Sequence, residues 1–90
     1  MKDGELINLS LIVNYDPDIM EIIWDLNHGR AKTVEEISPG VIRVEFPTHK
    51  SDSLIRNLMA YSDYMRVDSP EEIVEEIRDI IRKAKQVYHF

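Results

Sequence analysis

The sequence predicts an α+β domain: one antiparallel sheet, two helices packed on it and a further helix at the C-terminus. Three observations carry that prediction. Residues 6–15 and 41–46 alternate in side-chain character with a period of two, the mark of strands with one buried face. Asp16-Pro17 and Ser69-Pro70 each set a side-chain acceptor before a proline, a common way to begin a helix. Ser38-Pro39-Gly40 reads as a turn, because Pro presets one dihedral and Gly tolerates a positive one.

In the first stretch, Leu9, Leu11, Val13 and Tyr15 alternate with Ser10, Ile12 and Asn14. The helix after Asp16 shows Ile19, Ile22, Ile23 and Leu26 on one face, with Met20 and Trp24 flanking. It is expected to stop at Asn27-His28-Gly29, where Gly29 suits a left-handed C-terminal position. A second strand is expected over residues 31–37, although its alternation is poor. After the turn, residues 41–46 put Ile42, Val44 and Phe46 on one side and Val41, Arg43 and Glu45 on the other, and Pro47 ends the strand. Ser51 or Asp52 then caps a helix carrying Leu54, Ile55, Leu58 and Met59. A short strand around residues 65–67 leads to the last helix.

That helix has a well-specified start in the sequence. Ser69 is the expected cap, Pro70 the first helical residue, and Glu72 completes a capping box. Glu71 and Glu72 lie at the positive end of the helix dipole, and Arg82, Lys83 and Lys85 near the negative end. Ile73, Ile77, Ile80, Ile81, Ala84, Val87 and Tyr88 follow the spacing of one apolar face. Burying each large side chain is worth roughly 1.5–3 kcal/mol. The face must therefore cover its own sheet, flank its own helices or pair with a second copy. The order β-α-β-β-α-β-α makes the first six elements a ferredoxin-like, or split β-α-β, sandwich with an additional C-terminal helix. Right-handed crossovers would place the two inner helices on one sheet face. No repeat or linker interrupts the chain, so residues 1–90 read as a single domain.

Composition narrows the function classes. With 43% hydrophobic and 31% charged residues the chain reads as soluble and globular. No apolar run approaches the roughly 18 residues that span a membrane, and Met1-Lys2-Asp3-Gly4-Glu5 lacks the apolar core of a signal peptide. No cysteine is present, which removes disulfides, thiolate catalysis and zinc-finger sites together and fits a cytoplasmic location. The net charge of −6 argues against general binding of nucleic acid. Gly4, Gly29 and Gly40 stand singly, so no phosphate-cradling loop exists. No serine lies in a nucleophile elbow. His28, His49 and His89 fall in three segments, whereas a metal site needs converging ligands. No enzyme activity, cofactor or metal is expected.

One face exceeds a plain solvent surface. If Leu9, Leu11 and Val13 face the helices, Ser10, Ile12 and Asn14 face away, and the same parity turns Val41, Arg43, Glu45, Tyr64 and Arg66 outward. Such a mixed face resembles an interface. Ile12, Val41 and Tyr64 are its candidate contact residues; Arg43 and Arg66 are candidates for holding an anionic ligand. The final helix, another domain or subunit, or that ligand could occupy it. The first two are favoured over the third.

A family resemblance covers nearly the whole chain, and its short, mostly structural motifs lie in the second half. Its carriers are Leu54, Ile55, Leu58 and Met59; Tyr61-Ser62-Asp63; Met65-Arg66-Val67; Ser69-Pro70-Glu71-Glu72-Ile73; and Tyr88. This succession resembles the WCX domain, the C-terminal extension of bacterial and archaeal WYL-domain transcriptional regulators. Ser62 and Asp63 stand where that family usually has Gly, and Val74 where it often has Arg. The resemblance implies a ferredoxin-like fold and a regulatory role: helping the regulator dimerise or sense an effector, with the WYL domain holding most ligand contacts. The implied partners are a second copy or the WYL domain of the same regulator. Arg43 or Arg66 would add a contact to an anionic or nucleic-acid effector. DNA would be reached only through a helix-turn-helix region. That region and the WYL signature are both absent from these residues, so on this reading the chain is a piece of a longer regulator. The alternative is a free-standing ACT-like small-molecule-binding domain, which shares the element order. Against it, Tyr15-Asp16-Pro17-Asp18 lacks the glycine such domains often carry after the first strand. An RNA-binding reading is weaker, since residues 41–46 lack the aromatic pair that stacks bases.

Overall fold

A computed structural model of the chain describes residues 4–26 and 33–88. The elements run β1 (Leu6–Asn14), α1 (Pro17–Leu26), β2 (Thr33–Ser38), β3 (Val41–His49), α2 (Asp52–Ala60), β4 (Met65–Ser69) and α3 (Glu71–Val87). The four strands form one sheet in the order β2-β3-β1-β4, with every neighbouring pair antiparallel. The architecture is α+β, as the patterning predicts.

The alternation of β1 is realised: Leu9, Leu11 and Val13 are completely buried. They share a core with Ile42, Val44 and Phe46 of β3, Ile19 and Ile23 of α1, and Leu54, Ile55 and Leu58 of α2. The first helix starts as expected. Asp16 Oδ1 accepts from the Asp18 amide at 2.8 Å, and Pro17 is the first helical residue. Its expected stop, with His28 and Gly29, lies outside the described residues, as do Ala31 and His89. Pro39 and Gly40 link β2 to β3, with Ser38 paired to Val41 and Gly40 at φ 78°, in the region where a side chain would be strained. Ser51 proves to be the cap of α2, its Oγ accepting from the Leu54 amide at 3.0 Å.

The expected second strand is found over Thr33–Ser38, its residues 31 and 32 lying outside the described residues, and it is exposed along its length, including Val34 and Ile37. With no face buried, it had no reason to alternate. Two expectations need correction. Pro47 does not end β3, which continues to His49. Lys50 N–H donates to Glu5 O at 2.9 Å and Tyr15 N–H to Gly40 O at 2.8 Å. These bonds set the alternation of the ladder, so Pro47, opposite Asn8, falls in a non-hydrogen-bonded pair with its nitrogen directed away from β1. Among the described residues, β2 pairs on that side only as far as Glu45, so no described ladder bond is lost at Pro47.

The second correction concerns the start of α3. Ser69 is not its cap but the last residue of β4, paired with Ser10. Pro70 takes the cap position without any side-chain hydrogen bond, while its carbonyl accepts from the Ile73 and Val74 amides. The Ser69-Pro70 peptide is cis. Pairing with β1 has recruited the residue that local sequence marked as a cap.

An ion pair ties α3 to the sheet. Lys50, just past β3, is 7% exposed, and its Nζ lies 3.3 Å from Glu76 Oε2. Lys50→Ala should cost roughly 1–3 kcal/mol in urea unfolding, a range lowered for the part-exposure of Glu76. Lys50→Met, which keeps the apolar stem, should cost less than about 1 kcal/mol. Equal losses would mean that stem packing contributes nothing.

Candidate functional site

The sheet face opposite the core is built in cross-strand rows. One row sets Ile12 between Arg43 on β3 and Arg66 on β4; the next sets Ser10 between Glu45 and Ser69. The register shift between Ser10 and Leu11 leaves Asp68 as an extra residue on β4. Its carboxylate accepts from Ser10 Oγ at 3.5 Å and lies 3.7 Å from Arg43 Nε. On the other flank Glu35 of β2 lies 3.7 Å from Arg43 Nη1. Arg43 thus stands between two carboxylates, and a ligand anion would have to displace one of them. Arg66 is exposed and forms no ion pair among the described residues.

Of the contact candidates, Ile12 is half-buried in the arginine row. Val41 is half-buried opposite Asn14, whose amide donates to the Tyr64 carbonyl at 3.1 Å. Tyr64 precedes β4, is exposed, and lines a shallow cleft with Ile19, Ile22 and Tyr61. The structure therefore groups Ile12, Arg43 and Arg66 and sets Val41 and Tyr64 at the adjoining end of the sheet.

The final helix does not cover this face. It packs beside β4 and α2, and its Ile73 joins the core on the opposite side of the sheet. Burial then fades along the helix. Ile73 is fully buried, Val74 and Ile77 are half-buried, Ile81 is 51% exposed and Val87 77% exposed. Ile80, Ala84 and Tyr88 are exposed too. A groove of about 320 Å³ adjoins the stripe between α2, β4 and α3, lined by Met59, Met65, Val67, Ile77 and Ile81 with Arg66 and Arg78. His49, the histidine within the described residues, donates from Nδ1 to the Gly4 carbonyl at 3.0 Å. No group of three or more His, Asp or Glu that could hold a metal occurs among the described residues. No described helix is long and apolar enough to cross a membrane.

A family model of the WCX domain matches residues 8–85, from the third residue of β1 into the last turns of α3. The chain belongs to the WCX domain family. No curated protein matches it.

Three partners in this WCX domain escaped the sequence reading. Glu35 faces Arg43 in the β2–β3 hairpin, and that pairing follows once the Pro39-Gly40 turn sets the register. Asp68 reaches Arg43 only because β4 shifts register, for which the sequence carries no local signal. Lys50 meets Glu76 only because α3 docks over the end of β3, and no local pattern marks that contact.

Proposed function

We propose that this WCX domain is the C-terminal regulatory module of a WYL-type helix-turn-helix transcriptional regulator in the cytoplasm, assisting dimerisation or effector sensing through contact rather than catalysis. The observation that carries this reading is the exposed apolar stripe of α3, continuous from Ile80 to Tyr88. The strand order β2-β3-β1-β4 supports the split β-α-β, ferredoxin-like description, with an added helix that leaves the sheet's second face open. DNA contact would fall to the helix-turn-helix region, since a domain of net charge −6 has little long-range attraction for phosphate.

The test is the mass of the 90-residue chain by light scattering across a dilution series, with the WYL domain of the regulator that carries it added in trans. A dimer, or a complex with the WYL domain, supports the reading. A monomer that ignores the WYL domain overturns it.

For effector sensing, Arg66 is the better anion contact, because Arg43 is already compensated. With a short single-stranded oligonucleotide as the anionic probe of the assembled regulator, Arg66→Ala should weaken binding about tenfold and Arg43→Ala about threefold or less. Titration calorimetry reads both. Equal affinities in the variants and the parent would remove both arginines from the site.

A further inference from the structure

The charge on α3 is segregated along its length. Residues 71–79 carry five acidic side chains and one arginine; residues 80–87 carry Arg82, Lys83 and Lys85 and no acid. The middle of the helix is partly satisfied within itself. Arg78 pairs with Glu71 and Glu75, and Asp79 with Arg82 and Lys83. Glu72 and Lys85, nearer the two ends, form no ion pair among the described residues.

The apolar positions form two interleaved series. Ile73, Ile77, Ile80, Ala84 and Val87 step by four and three; Val74, Ile77, Ile81, Ala84 and Tyr88 step by three and four. Both are the spacing of a helix seam that meets another helix. Ile73 and part of Ile77 are used inside the domain, which leaves the stripe from Ile80 onward for a partner.

We infer that the partner is α3 of a second copy, running antiparallel about a two-fold axis near Ile80 and Ile81. An antiparallel pair sets the acidic half of each helix against the basic half of the other. A parallel pair would set five acids against five. The two-fold makes the contact self-complementary, as a closed dimer requires. It also gives the adjoining groove an occupant: Val87 and Tyr88 of the second copy, the most exposed apolar residues of the helix, come to lie over the wall formed by Met59, Val67 and Ile77. The small Ala84 permits close approach of the two backbones beside that wall. This inference rests on the proposal that the domain is an assembly module.

The chain has no cysteine, so single reporters can be placed cleanly. Val74→Cys and Tyr88→Cys both lie on the same flank of the stripe, and fourteen residues of helix separate them by roughly 21 Å, so only an antiparallel pair sets one beside the other. With a short cysteine-reactive cross-linker, a mixture of the two variants should give cross-linked dimers, and either variant alone should give few. The dissociation constant by sedimentation should rise about tenfold between about 0.05 M and about 0.5 M salt, as opposed charges are screened. Ile81→Glu should raise it about 30-fold or more while leaving the far-ultraviolet circular dichroism unchanged.

Self-cross-linking of Tyr88→Cys alone, or a dimer that tightens with salt, would show a parallel pair. Either result overturns the inference and leaves the assembly reading standing. A chain that stays monomeric at all concentrations also overturns the inference, and the broader reading then depends on the WYL-domain titration.

Discussion

Phe46→Ala should come close to unfolding the domain. Phe46 is 1% exposed on β3, opposite Leu9, in the core shared with α1 and α2. Deleting a buried phenylalanine ring typically costs about 3–5 kcal/mol, because the cavity collapses only in part. A domain of this size has roughly 5–15 kcal/mol in total. The variant should therefore lose most of its cooperative urea transition, followed by far-ultraviolet circular dichroism. Phe46→Leu, which keeps much of the volume, should cost less than about 1.5 kcal/mol. A loss below about 1 kcal/mol for the alanine variant would mean that the sheet and helices do not meet at this residue.

The second large effect separates the two halves of α3. Ile73 is fully buried at its base, and Ile73→Ala should cost about 2–5 kcal/mol. Ile81 lies two turns further along and is half-exposed, and Ile81→Ala should cost less than about 1 kcal/mol in a dilute, monomeric sample. Raising the protein concentration should widen the loss at Ile81 and leave that at Ile73 nearly constant, because association stabilises only what the second copy binds. Parallel concentration dependence at both positions would place the association surface elsewhere.

Legibility in the sequence followed how local the cause was. The alternation of β1 and β3, the Asp16-Pro17 start of α1 and the Pro39-Gly40 turn depend on neighbours within a few residues, and each could be read directly. Ser69 was misread for the opposite reason. Its local pattern favours a cap, and the partner that claims it, Ser10, lies 59 residues earlier in the numbering. Pro47 was misread because its effect depends on which side of β3 carries a neighbour. The open face showed its outward residues through parity alone, and Arg43 and Arg66 came out adjacent to Ile12 as parity requires. Parity could not reveal that Glu35 and Asp68 already hold Arg43. The apolar stripe of α3 was plain in the sequence. How little of it the domain would cover depends on where α2 ends, and no pattern within α3 encodes that.

The register shift in β4 has a consequence for solubility. An open sheet has two free edges, and each is a template on which further chains could add without limit. In this domain one edge is β4, only five residues long, bulged at Asp68 and carrying Arg66. The other is β2, which bears Glu35 and Glu36. Neither offers the long, flat, uncharged ladder that fibre growth needs. Strand addition, which propagates, is thereby disfavoured, whereas the proposed helix contact would be satisfied after two copies.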